Sequence, residues 1–185
     1  MISAALSVLK TDEERNIVEK LYTENRNRFL SIAYSRLNNR ADAEEAVQEA
    51  FLRIAAKPDT FFKVPDSKKV AFVDIVIRNV AIETVRKKAH FPQVELDENI
   101  PDSMSVEEQV IGEISYEKLA NFVRNMPETL KSALTLRINF DVPNTEIAEL
   151  LGISYSAAKR RISDAMKMIC LLYTSPSPRD RQQSR

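Results

Sequence analysis

The residues whose types and spacing promise chemistry lie between Asn144 and Ile162, in the order Asn-Thr-Glu-Ile-Ala-Glu-Leu-Leu-Gly-Ile-Ser-Tyr-Ser-Ala-Ala-Lys-Arg-Arg-Ile. The chemistry is recognition rather than bond-making. Arginine can pair bidentately with a guanine edge, whereas lysine and hydroxyl side chains hold phosphates. Ile147, Leu150 and Leu151 form the apolar stripe of a short helix, Ala148 is small where that helix must approach a partner, and Gly152 supplies a left-handed residue to end it. Ser154 offers an N-cap for a second helix, on which Ala158 and Ile162 face inward while Ser156, Ala157, Lys159, Arg160 and Arg161 face outward or flank the stripe. This is the spacing of a helix-turn-helix with a basic second helix, and it implies reading of duplex DNA. Only two glycines occur in the chain, and one falls at this turn. The competing reading is a helical hairpin with a solvated basic face.

Around that motif, composition sets the frame. Lys+Arg and Asp+Glu are equal at 27 each, so any attraction to polyanions is local rather than general. With 185 residues, 44% of them hydrophobic, the chain can bury one good core or two small ones. Scarce glycine, 29% charged residues and few alternating apolar/polar runs predict an all-α protein of two small helical domains. No apolar run long enough to span a bilayer and no secretion signal are legible, so no membrane span and a cytoplasmic location are expected. One cysteine, Cys170, and one histidine, His90, leave no internal disulfide and no His- or Cys-based metal site. No carboxylate pair, nucleophile with base or phosphate loop appears, so neither catalytic residues nor a cofactor is expected.

The elements that must position the motif are punctuated by capping residues and prolines. Thr11-Asp-Glu-Glu14 is a capping box for a helix carrying Ile17, Leu21, Phe29, Ile32, Ala33 and Leu37, with a break expected near Thr23. A second helix is predicted over 41–57, with Ala43, Val47, Ala50, Phe51 and Ile54 inward. Pro58 to Ser67 reads as a loop, and a third helix over 68–89 buries Phe72, Val73, Val76, Ile77 and Val80. Over residues 68–90 six basic residues stand against Asp74 and Glu83. Between Gln93 and Glu117 every charged residue is acidic, which suits a spacer between basic surfaces better than a surface laid on DNA. Ser105-Val-Glu-Glu108 is a second capping box, for a helix towards Asn125, and Pro127 opens another to about Asn139. The predicted domains are therefore 11–91, an acidic linker 92–104, a helix-turn-helix domain 105–169, and a tail 170–185. By composition the tail is either a disordered segment or a non-native adaptor-like sequence.

Two stretches of the N-terminal half, Arg40-Ala-Asp-Ala-Glu-Glu-Ala-Val-Gln-Glu-Ala-Phe-Leu-Arg53 and Ala71-Phe-Val-Asp-Ile-Val-Ile-Arg-Asn-Val-Ala-Ile-Glu-Thr-Val-Arg-Lys-Lys88, resemble the polymerase-binding and promoter-melting region of bacterial sigma-70 family factors of the extracytoplasmic-function (ECF) group. Met126 to Ile162 resembles that group's C-terminal promoter-reading region. The resemblance spans roughly residues 15–90 and 115–168. It implies a sigma factor whose partners are core RNA polymerase and promoter DNA, often with an anti-sigma factor. By this resemblance Asp42, Glu45, Gln48 and Glu49 match the surface that grips core polymerase. Phe61, Phe62, Arg78, Asn79, Ile82, Arg86 and Lys87 match the minus-ten element's binding face, where a base flipped from the non-template strand would be received near the Phe61–Ser67 loop. Ser154, Tyr155, Ser156, Ala157, Lys159, Arg160 and Arg161 match the minus-35 reading face.

Each assignment has a plainer counterpart. The acidic residues at 42, 45, 48 and 49 would make an ordinary solvated helix face, Asn79 a helix-surface hydrogen bond, and one of Phe61 and Phe62 a core residue. Two departures stand out: Phe72 occupies a position where the family commonly has Trp, and Ala157 and Ala158 replace larger residues in the second helix. The rival functions are a stand-alone helix-turn-helix regulator, with an N-terminal ligand-binding or dimerisation domain, and a helical protein-interaction module.

Overall fold

A computed structural model describes residues 2–89 and 116–174. Among the described residues the ordered elements are all helices: α1 (Ser3–Val8), α2 (Asp12–Leu37), α3 (Arg40–Ala55), α4 (Pro58–Lys63), α5 (Asp66–Lys88), α6 (Tyr116–Asn125), α7 (Glu128–Asn139), α8 (Asn144–Leu151) and α9 (Tyr155–Thr174). The predicted acidic linker and the capping box at Ser105 lie outside the described residues.

Local chemistry accounts for the boundaries. At the start of α2, Thr11 Oγ1 accepts from the Glu14 N–H at 3.1 Å, and the Glu14 carboxylate accepts from the Thr11 N–H at 3.1 Å, so two otherwise unsatisfied donors are paired reciprocally. The break expected near Thr23 is absent. Its hydroxyl donates back to the Glu19 carbonyl at 2.8 Å, within an unbroken 26-residue helix. Two asparagines then turn the chain: Asn38 takes the left-handed conformation at φ 50°, and Asn39 caps α3 by accepting from the Asp42 N–H. The segment expected as a loop from Pro58 to Ser67 is α4 followed by the first turn of α5, joined through Val64 and Pro65. The missed signal is Pro58 at the first helical turn, where its lost N–H costs nothing and its fixed φ suits the helix.

Helices α2, α3 and α5 pack as the N-terminal bundle. Val18, Tyr22, Phe29 and Ala33 of α2 meet the small-residue face of α3, whose Ala43, Ala46, Val47 and Ala50 admit close approach around buried Phe51 and Phe72. A buried carboxylate ties two of these helices: Asp74 of α5 accepts from Arg28 of α2 at 2.6 Å. Helix α1, which the sequence reading did not foresee, tucks Ile2, Ala5 and Leu9 into the same core.

In the C-terminal domain α7, α8 and α9 pack together. A separate small cluster of Met126, Leu134 and Ala165 is flanked by Phe122, Leu130, Met168 and Ile169. The two domains are not simply strung on a linker. Phe72 of α5 meets Phe140 after α7 edge to face at 5.3 Å, and the N-terminal core continues through this contact into Leu136, Val142, Ile147, Leu150 and Leu151. Helix α9 also runs past residue 169, where the tail was expected to begin, and carries exposed Cys170 on its continuation to Thr174.

Phe72 is fully buried and touches both Phe61 and Phe140, so its role here is structural. Phe72→Ala is expected to lower the unfolding free energy by about 3–5 kcal/mol in urea denaturation. A loss under about 1 kcal/mol would mean that this aromatic junction does not hold the domains.

Candidate nucleic-acid interface

The helix-turn-helix is built as its sequence implies. The Ile153 N–H donates to the Ala148 carbonyl at 2.9 Å and the Gly152 N–H to the Glu149 carbonyl at 3.2 Å, closing α8 in a Schellman arrangement with Gly152 at φ 64°. Ser154 Oγ accepts from the Ala157 N–H at 3.2 Å and so caps α9. Ala158 is buried and Ile162 packs against the core. This orientation leaves Tyr155, Ser156, Lys159 and Arg160 exposed on one side, with Arg160 leaning towards Asp164 at 3.7 Å. Ser154 is exposed at the tip, whereas Ala157 and Arg161 are half-buried. Burial, and next the like charge of Arg86 on α5, hold the Arg161 guanidinium below its ordinary pKa.

The second basic surface lies on α5. Arg78, Ile82 and Arg86 repeat every four residues along one side; Arg78 and Ile82 are half-buried and Arg86 is exposed. Asn79 does not join them. It falls on the buried stripe with Phe72, Val76 and Val80, is only 4% exposed, and donates its amide to the Ile75 carbonyl at 2.9 Å. Of the two neighbouring phenylalanines, Phe61 is core and Phe62 half-buried, their rings meeting at 5.2 Å with the Lys69 ammonium 5.7 and 5.8 Å from the two centroids. Lys87 is exposed and paired to Glu83 at 2.7 Å.

The acidic face of α3 is only partly open. Asp42 is half-buried and pairs with Lys88 at 2.5 Å, while Glu49 is bonded by Arg53 Nε at 2.7 Å. Glu45 is exposed and Gln48 half-buried between them.

Sequence reasoning missed the residues that join the two surfaces. Arg53 also donates to Glu83 at 2.8 Å, and its side chain lies against the turn glycine. A Cβ on Gly152 would stand 2.3 Å from Arg53 Nη1 and 2.8 Å from Glu83 Oε2. Lys57 meets Glu149 at 2.5 Å, the Thr60 hydroxyl donates to Glu146, and Arg78 approaches Glu128 at 3.9 Å. Burial alone would lower the Arg53 pKa, yet hydrogen bonds and charge from Glu49 and Glu83 outweigh it and hold the group above its ordinary value. Burial likewise opposes ionisation of Glu83, but Lys87 and Arg53 outweigh it and keep the carboxyl below the usual range. Among the described residues no helix is long and apolar enough to cross a membrane.

Comparison with known proteins agrees with this architecture. Residues 21–91 match the family model for sigma-70 region 2, and residues 116–169 match that for sigma-70 region 4. The chain is 28% identical over 165 residues to the ECF RNA polymerase sigma factor SigJ of Mycobacterium tuberculosis, an alignment covering 83% of this chain and 51% of SigJ. It is 26% identical over 155 residues to the RNA polymerase sigma factor SigV of Bacillus subtilis, covering 82% of this chain and 88% of SigV. The chain thus spans about half the length of SigJ and most of SigV. Two helical domains in this order, each matched by its own region model, have the organisation of sigma-70 regions 2 and 4. The chain belongs to the sigma-70 family of RNA polymerase sigma factors, in the ECF group.

Two predictions follow from the turn and the clasp around it. Gly152→Ala should destabilise the chain by about 1–2 kcal/mol from the left-handed backbone alone, and by more once Arg53 is displaced. Gly152→Asn, which tolerates that backbone better, isolates the displacement, and urea unfolding of the two variants separates the terms. Because the Glu83 pKa is depressed by folding, its contribution is complete above the ordinary glutamate range, near 4.3, and is lost as pH falls through its lower folded value. Stability measured against pH should therefore decline less on the acid side in Glu83→Gln than in the parent chain; identical slopes would remove Glu83 from the linkage.

Proposed function

We propose that this chain is a non-enzymatic specificity subunit that docks on core RNA polymerase, recognises a two-part promoter and promotes its opening, in the cytoplasm where both partners reside. The observation that carries this reading is the α9 face of Tyr155, Ser156, Lys159 and Arg160, presented by a glycine-closed turn and preceded in the chain by a second basic helix face on α5. Arg160 suits bidentate base contact; Lys159 suits phosphate. Arg161, half-buried beside Arg86, would need the domains to separate before reaching a groove. On α5, Arg78, Ile82, Arg86 and Lys87 form the minus-ten face, with half-buried Phe62 the aromatic nearer to solvent. Asn79 and Phe61 support that face from inside. Asp42, Glu45, Gln48 and Glu49 are the proposed polymerase grip, and an anti-sigma factor would compete for one of these faces.

Run-off transcription with purified core polymerase over a genomic fragment library tests the reading, since promoter-specific transcripts must depend on both proteins. Tight duplex binding by the chain alone, with no transcripts, would favour a stand-alone regulator. Glu45→Lys should cut core binding in a pull-down by at least about tenfold, the size expected for reversing a charge within a complementary interface, with an unchanged circular dichroism spectrum. Glu45 is the sharper probe than Glu49, because Glu49→Lys would also break the Arg53 pair. A folded Glu45→Lys that binds at parental strength would remove this helix face from the polymerase contact.

A further inference from the structure

Glu49, Arg53, Glu83 and Lys87 form one chain of charged contacts across the N-terminal bundle. Glu49 accepts from Arg53 Nε at 2.7 Å one turn along α3, Lys87 meets Glu83 at 2.7 Å one turn along α5, and Arg53 Nη2 joins the two pairs by donating to Glu83 Oε2 at 2.8 Å. Exposure is lowest in the middle: the Arg53 and Glu83 side chains are 14% and 26% exposed, against 44% for Glu49 and 73% for Lys87. On each helix the acid precedes the base by four residues, the favourable order, yet such pairs on a free helix surface hold their partners weakly. The bond between the helices changes this. A guanidinium is planar, so committing Nη2 to Glu83 fixes the direction of Nε, and the carboxylate that Nε holds is fixed with it. A side chain ordered before docking loses less freedom on docking.

We propose that Arg53, anchored from α5 by Glu83, is a positioning residue for the polymerase contact, presenting the Glu49 carboxylate in one orientation on the α3 face. The proposal rests on the assignment of that face to the polymerase. Arg53 is too enclosed to offer its own charge to a partner, and Glu83 stands on a different helix, so both act through Glu49. The sign of the effect follows. If Arg53 merely competed with a polymerase cation for Glu49, its removal would strengthen docking, whereas loss of a positioning group weakens it.

A double-mutant cycle on the full chain, read as affinity for purified core polymerase, tests the proposal. Arg53→Gln should weaken binding by between about twofold and about tenfold, the range expected when one long side chain must be ordered on docking, with an unchanged circular dichroism spectrum. Glu83→Gln, a milder change outside the proposed grip, should act in the same direction and keeps the test decisive should Arg53→Gln fold poorly. In Glu49→Ala, which removes the carboxylate to be oriented, both substitutions should lose their effect. A purely structural role for Arg53, including one through its contact with Gly152, would instead survive in that background. Arg40→Gln removes a cation paired to Glu44 on another side of α3 and should leave binding unchanged.

Losses that persist undiminished in Glu49→Ala, tighter binding by Arg53→Gln, or equal losses from Arg53→Gln and Arg40→Gln would overturn the proposal while leaving the α3 grip in place. A Glu49→Ala chain that binds core polymerase as the parent does would overturn the assignment of Glu49 to the grip and this proposal together.

Discussion

The packing of this chain turns on the guanidinium of Arg53. It is the point at which α3, α5 and the turn between α8 and α9 meet, bonded to Glu49 on its own helix and to Glu83 across the bundle. Drawing a cation largely out of water, as the Arg53 side chain is, costs several kcal/mol, which only good geometry with opposite charge can offset. Two carboxylates supply that here, and Lys87 in turn satisfies Glu83. The consequence is positional more than energetic. With Arg53 fixed, the space beside it admits a residue without a side chain, and Gly152 occupies it. Glycine at this turn therefore answers two constraints, the left-handed backbone that closes α8 and the close approach of another domain's arginine.

Much of the fold was legible because its signals are local. The Thr11–Glu14 capping box, the Pro127 start, Gly152 and Ser154 each act within a few residues, and each appears where the sequence implies. The inward stripe Phe72, Val73, Val76, Ile77 and Val80 was equally readable from helical periodicity. Failures began where a residue's role depends on a distant partner. Asn79 has the polarity of a surface contact, but lies one position round the helix from Arg78, on the side that α2 and α3 cover. Neither Lys57, Thr60, Glu146 nor Glu149 carries any local mark of its role, because polar contacts spanning some ninety residues leave no periodicity to detect.

Residues 61 and 62 show how the same dipeptide divides between structure and exposure. Phe61 points into the core beside Phe72, so Phe62, roughly 100° further round α4, is left half-buried at its edge. Lys69, itself almost fully buried, lies near both rings and is held by Asp66 at the start of α5. Burial of the ammonium beside two rings rigidifies the junction between α4 and α5, the short segment where a loop was expected. A strand reaching this edge would meet preformed aromatic and cationic groups rather than a mobile loop, which reduces the ordering cost of any contact made there.

Closure of the two domains combines terms of opposite sign. Burial of Phe72 against Phe140 and the three acid contacts favour it, while the approach of Arg161 to Arg86 brings like charges together in a partly dehydrated space. An interface made only of apolar contacts would resist opening in any salt. One closed solely by charge pairs would be weak at physiological ionic strength, because exposed pairs are screened and contribute little. The observed junction combines both, an aromatic contact beside two ion pairs and a hydroxyl–carboxylate hydrogen bond. A partner engaging α3 also bears on this balance, since Glu49 on its proposed docking face is the residue that positions Arg53, and Arg53 is what rests on the helix-turn-helix turn.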